Sequence, residues 1–263
     1  MGNVGVFPFG EPVRTLVQSD RSAKRVFVLG VYASAVHARW VDDKERQRIS
    51  AVAVASEPEI FWRGNPDEAR DIVARIKLPA GSGRLIAAGK QLNGPSGRAL
   101  DELFLTPLGL TRDDAWLCDL VPHSCRNEKQ KAALEREYDG ERVRLGLPAY
   151  DWPPLPTELA NAERRASIES ELKESGADIV ITLGDQPLEW FTKYYGSESK
   201  LAAYGKGPLE YGQLHSLTVA GRSRHLLPLV HPRQADRLGS HSAEWFATHE
   251  TWTQPQHAGK LLI

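Results

Sequence analysis

Apolar residues along the chain fall in short runs rich in Val, Ile and Leu, each closed by glycine or turn residues. That is the pattern of strands buried on both faces of a mainly parallel sheet. Four runs stand out, at 26–31, 51–55, 115–121 and 179–183, with a fifth at 226–230. Polar stretches between them carry helix signals. Asn65-Pro66-Asp67-Glu68 supplies a cap, a proline at the first helical position and acids in the first turn, predicting a helix to about Ile76. Ser96 is placed to cap a helix through Phe104, and Asn127 and Gln130 have capping-box spacing before a helix to Tyr138. Thr157 opens a charged amphipathic helix that closes at Gly176. Residues 209–224, with Gly212 and Gly221, read as a hairpin feeding the fifth run. Strands alternating with helices predict an α/β fold of three layers, αβα, in which ligands bind outside the carboxyl ends of the strands.

The stretch 148–156 carries four prolines, which remove donors and hold the chain extended. The strand pattern is the same on both sides of it, so it reads as a surface loop inside a single domain, 1–263, rather than as a linker. A length of 263 residues leaves ample room for one core. Thirty-three basic against 34 acidic residues give a formal net charge of −1, which excludes a broadly basic nucleic-acid coat but leaves room for a local patch. Two cysteines, Cys118 and Cys125, are too few for a disulfide framework or a four-thiolate metal site. With no metal spacing, no bilayer-length apolar run and no leader at the start, the expectation is a cytoplasmic, monomeric protein without metal or other cofactor.

Four places carry candidate chemistry. Gly30-Val-Tyr32-Ala-Ser34 follows the first strand and leads into His37, reading as a strand-to-helix turn that lacks a phosphate-binding glycine signature. Asn93-Gly-Pro-Ser96-Gly-Arg98 is a tight turn able to approach a ligand, with Leu92 just before it. Asp119 is an acid inside an apolar strand, where burial without a partner is costly. His231 follows the fifth strand, where a histidine can donate to developing negative charge. Arg233 and Arg237, with Arg222 and Arg224 upstream, supply a basic edge.

These places, in this order, resemble the uracil-DNA glycosylase superfamily, over residues 24 to about 252. The stretch from Asn93 through Arg98 to Leu103 is similar to that family's Gly-Pro-Ala-Gly-Arg helix. Residues 116–121 are similar to its base-reading strand, 177–185 to its next strand, and His231-Pro232 to its His-Pro-Ser motif. The resemblance implies a four-stranded, mainly parallel central sheet, DNA as partner, and excision of a flipped base without a cofactor. It also marks departures. Gly30-Val31-Tyr32-Ala33 stands where the family carries a carboxylate or amide that handles water, Leu92 stands where one branch has a stacking aromatic, and Asp119 replaces the uracil-reading Asn. The four cysteines of the iron–sulfur branch are absent, so no cluster is expected.

An ionised Asp only accepts hydrogen bonds, so facing uracil O4 it repels, whereas the exocyclic amine of cytosine suits it. A mispaired buried polar group costs about 1–3 kcal/mol. The expectation is therefore a monofunctional DNA glycosylase for a modified, cytosine-type base. In this reading His231 donates to the departing base, Asp119, Leu92, Asn93 and Tyr32 form the base pocket, and Tyr32, His37 or Asp119 orients the water. Ser96, Arg98, Arg233 and Arg237 hold DNA phosphate, while Leu238 fills the vacated stack. The alternatives are a uracil or mismatch glycosylase and an inactive DNA-binding module of the same fold.

Overall fold

The computed structural model describes residues 3–196, 198–207, 209–219, 221–237 and 242–261. The chain divides into two compact units, each assembled from three separate stretches: Met1–Leu16, Tyr32–Pro95 and Val121–Leu159 in the first, Val17–Val31, Ser96–Leu120 and Ala160–Ile263 in the second. The proline-rich segment 148–156 lies wholly within the first unit and is not a linker between them.

The second unit holds the expected sheet. Strands Val26–Tyr32, Ile179–Leu183 and Arg222–Leu229 run parallel, with Val26 opposite Ile179 and Leu229 opposite Leu183. Ala115–Val121 borders Val26–Tyr32 at one edge, and His215–Val219 pairs antiparallel with Arg222–Leu229 at the other. Every residue of 115–121 and 179–183 is buried, which is why these strands read as unbroken apolar runs. The sheet therefore has five strands where four were expected, because the 215–219 arm of the predicted hairpin joins its edge. Helices flank it. Ala162–Ser175 starts at Asn161, whose side chain accepts from the Arg164 N–H at 2.9 Å, and not at Thr157. It closes at the left-handed Gly176, as expected. Helix Asp185–Tyr195 springs directly from Gly184, and Ser242–Trp252 carries Trp245 and Trp252.

The first unit departs further from expectation. Residues 51–55 belong to a long strand, Gln47–Ser56, that pairs antiparallel with Ala35–Val41 and takes no part in the parallel sheet. Arg84–Ala87 completes this three-stranded sheet on the far side of Ala35–Val41. Residues 35–40 are thus strand and not helix. Val36, Ala38 and Trp40 alternate as wholly buried positions, a period-two signal masked by the glycine-bearing turn before it. The caps are as predicted. The Asn65 side chain accepts from the Asp67 N–H at 2.9 Å at the head of Pro66–Arg75, and Asn127 and Gln130 exchange two bonds of 2.9 Å ahead of Glu128–Glu137.

Phe9, Trp40 and Tyr138 meet edge to face in the core of this unit, and the Tyr138 hydroxyl accepts from the Phe9 N–H at 3.0 Å. The proline-rich segment is more than surface loop. Trp152 is buried against Phe7, and Asp151 exchanges two backbone bonds with Val6 at 2.9 and 3.1 Å.

Candidate active site

In the second unit, strands 179–183 and 222–229 end level, and the Gly184 N–H donates to the Leu229 carbonyl at 2.7 Å, extending the ladder one step. Gly184 has φ +92°, and a Cβ there would stand 3.1 Å from the Cβ of His231, so glycine is what lets the two strand ends close up. His231 follows as the cap of the short helix Pro232–Ala235. Its Nδ1 accepts from the Arg233 N–H at 3.1 Å, and its own N–H donates to Gln234 Oε1 at 3.4 Å. An accepting Nδ1 places the proton of the neutral ring on Nε2. Burial, with a smaller contribution from the Arg233 charge, holds the imidazole down to about 4, so at neutral pH it is an uncharged donor with one tautomer selected by the backbone.

Asp119 lies in Ala115–Val121 with 3% exposure. Its neighbour Arg164 donates to the backbone carbonyls of Asp119 at 2.7 Å and Leu120 at 3.3 Å, to Cys118 Sγ at 3.1 Å, and to Glu171 at 2.9 Å. The guanidinium is therefore satisfied without the Asp119 carboxyl, which among the described residues has neither a hydrogen bond nor a salt bridge. Desolvation pushes this carboxyl up to about 7, against the opposing pull of Arg164. Burial also raises the Cys118 thiol, which stays protonated.

Ser96 and Arg98 are half-buried in Pro95–Ala99, so Ser96 sits inside the helix and does not cap it. That helix widens at once into a π-helical stretch, Leu100–Leu105, instead of continuing regularly to Phe104. Arg112 fastens it by donating to Asp101 at 2.7 Å and to the Gly97 carbonyl at 3.1 Å. The basic edge is smaller than the sequence suggests. Arg224 is buried and donates to the carbonyls of Ala177 and Val219, and Arg222 pairs with Asp178 at 2.6 Å. Arg233 and Arg237 are exposed, the latter with its guanidinium 3.7 Å over the Phe246 ring. Leu238 lies outside the described residues.

The first unit gathers the other candidates. His37 and Leu92 line a cavity of about 210 Å³ together with Trp152 and Leu134. The Asn93 amide is committed to the backbone: its oxygen accepts from the His37 N–H at 2.8 Å, and its nitrogen donates to the carbonyls of His37 at 3.1 Å and Ala88 at 3.0 Å. Asn93 thus holds His37 in its strand and has little left with which to read a base. His37 Nδ1 lies 2.8 Å from the Ala35 carbonyl, which accepts from it and makes Nε2 the accepting nitrogen of the neutral ring. Tyr32 ends its strand with 36% exposure.

Gly184, which sets the position of His231, carries no motif of its own, and its signal in the sequence is a glycine directly behind a buried strand. Among the described residues no group of three or more His, Cys, Asp or Glu is placed to hold a metal ion, and no helix is long and apolar enough to cross a membrane. No curated protein matches the chain. The sequence model of the uracil DNA glycosylase superfamily matches residues 79–250, which include Leu92, Asn93, Ser96, Arg98, Asp119, His231, Arg233 and Arg237, whereas Tyr32 and His37 precede them. With the matched residues spanning most of the chain and its α/β sheet of the corresponding kind, the chain belongs to the uracil DNA glycosylase superfamily, a membership that implies DNA binding and a DNA glycosylase-like function.

Proposed function

We propose that the chain is a DNA glycosylase that flips a nucleotide out of the stack and hydrolyses its N-glycosidic bond, with a modified, cytosine-type base as substrate. The observation that carries the catalytic part is His231, a neutral imidazole at a strand's carboxyl end with Nδ1 occupied by a backbone N–H. Breaking the glycosidic bond sends its electron pair to the base and leaves an oxocarbenium-like sugar. A fixed Nε2–H pointed at the base oxygen stabilises the charge that develops there without itself transferring a proton. Water then adds to the sugar, and the proton it releases passes through solvent to the departed base anion.

Asp119 carries the choice of base. Ionised, it accepts from the exocyclic amine of a cytosine-type base and repels a carbonyl. Its carboxyl near 7 supports a second reading as well. A protonated Asp119 both donates and accepts, as an amide does, and so matches the O4 and N3–H edge of uracil. Arg98, Arg233, Arg237 and Ser96 take the phosphate contacts, and Leu238 the wedge.

The experiment is a panel of DNA duplexes and single strands carrying uracil, cytosine, 5-hydroxymethylcytosine or a glycosylated cytosine, scored for abasic sites from pH 6 to 8.5. Release of a modified cytosine, strongest above pH 7, supports the main reading. Release of uracil alone, strongest below pH 7, supports the second. Retained DNA binding with no abasic sites on any substrate identifies an inactive module and removes both.

A further inference from the structure

Pairing of Arg222–Leu229 to its antiparallel neighbour ends at Leu226 opposite His215, so on that side the strand's last residues run on without a partner strand. The N–H of wholly buried Val230, the residue before His231, donates instead to the Tyr211 hydroxyl oxygen at 3.0 Å. That hydroxyl lies 2.8 Å from His249 Nδ1, and His249 Nε2 lies 2.9 Å from the Leu103 carbonyl in the π-helical stretch. One set of proton positions satisfies all three contacts. The carbonyl only accepts, so Nε2 carries the proton of a neutral His249; Nδ1 then accepts the Tyr211 proton, and the phenol oxygen takes the Val230 N–H. Tyr211 and His249 are each 1% exposed, and burial keeps the phenol protonated and holds His249 down to about 4.

The rings have nowhere else to go. His249 lies between Phe104 and Trp252, at centroid distances of 4.4 and 5.1 Å. Directly after Tyr211, the Gly212 carbonyl accepts from Trp252 Nε1 at 3.2 Å, and a Cβ on Gly212, whose φ is +66°, would stand 2.3 Å from that nitrogen. Tyr211 is thereby pinned at both its backbone and its hydroxyl.

We infer that Tyr211 and His249 are positioning residues: their relay, anchored on Leu103, locks the peptide entering His231 and so keeps the His231 ring in its cap, with its proton on Nε2. The inference rests on the reading of His231 as the donor to the departing base, but its geometry can be tested without any activity.

Tyr211→Phe keeps the ring and removes the hydroxyl. The imidazole nitrogens of His231 are followed by ¹⁵N NMR, alongside single-turnover base release and DNA affinity. The expected result is a folded protein in which the His231 nitrogens move from a single Nε2–H tautomer toward averaged values. Maximal release falls about tenfold or more, with DNA affinity within about twofold. His249→Gln, whose amide oxygen and nitrogen replace Nδ1 and Nε2, restores both readouts relative to His249→Leu, and it carries the NMR test if Tyr211→Phe does not fold. Unchanged His231 nitrogens and an unchanged rate in Tyr211→Phe or His249→Leu, whatever the loss of thermal stability, would overturn the inference. If the unaltered protein releases no base from any substrate, the proposed function fails, and the NMR result still decides the relay.

Discussion

Asp119 and the two histidines His231 and His249 pull stability in opposite directions with pH. The histidines titrate at the ordinary 6.5 when unfolded and at about 4 when folded, so between those values the unfolded chain binds more protons and stability is lost as pH falls. Asp119 moves from 3.8 unfolded to about 7 folded, so over much of the same range the folded chain holds the extra proton and this group's contribution falls as pH rises. Two protons against one leave these three groups with a net acid lability near pH 5. Asp119→Asn removes the opposing carboxyl. Urea unfolding should then show a steeper loss of stability as pH falls near pH 5, together with higher stability at pH 8, where a buried carboxylate has been taken away. In catalysis, His231→Ala is expected to cost about 10²–10³ in the rate of base release while leaving DNA affinity nearly unchanged, because the Nε2 donor acts on charge that exists only in the transition state. Equal losses in binding and rate would place His231 in DNA contact instead.

Among the elements, the close approach of the two strand ends sets where His231 sits. Gly184→Ala adds a Cβ at φ +92° beside the His231 Cβ, and is expected to cost about 1–3 kcal/mol of unfolding free energy and to disturb the His231 cap, seen as a shift of its imidazole nitrogens. What was legible in the sequence at this scale was local chemistry. Asn65, the Asn127–Gln130 pair and Gly176 act through bonds within a few residues, and each marks the boundary that the structure has. The buried strands 26–32, 115–121 and 179–183 were legible because both faces are covered. Residues 51–55 show the limit of that signal, since an apolar run does not say which sheet it joins. Strand 35–41 was hidden by the turn before it, and Ser96 read as a cap because its neighbours fit a cap equally well. Tyr211 and His249 had no local signal. They lie 38 residues apart, and only tertiary packing brings the hydroxyl to the ring.

At the scale of the molecule, the two compact units are interleaved along the chain, so neither corresponds to a single contiguous fragment. A fragment comprising residues 160–263 lacks strands 26–32 and 115–121 of its own sheet and is expected to show no cooperative unfolding, which circular dichroism against temperature would check. With a net charge of −1 and two of the four edge arginines taken up by intramolecular partners, the proposed phosphate contacts on that edge fall to Arg233 and Arg237. Arg233→Ala and Arg237→Ala should each weaken binding similarly on all sequences and reduce the slope of log affinity against log salt by about 1. Family membership supports base excision in general, and in the proposed reading Asp119 is the residue that turns the chain from uracil toward a modified cytosine. The most direct measurement is therefore the release of free base from DNA bearing a glycosylated or hydroxymethylated cytosine, compared with uracil in the same sequence at pH 8, for the unaltered protein and for Asp119→Asn. The unaltered protein is expected to release the modified cytosine and to leave uracil in place, with the preference lost or reversed by Asp119→Asn. Rapid uracil release by the unaltered protein at pH 8, with the same selectivity in Asp119→Asn, would contradict it.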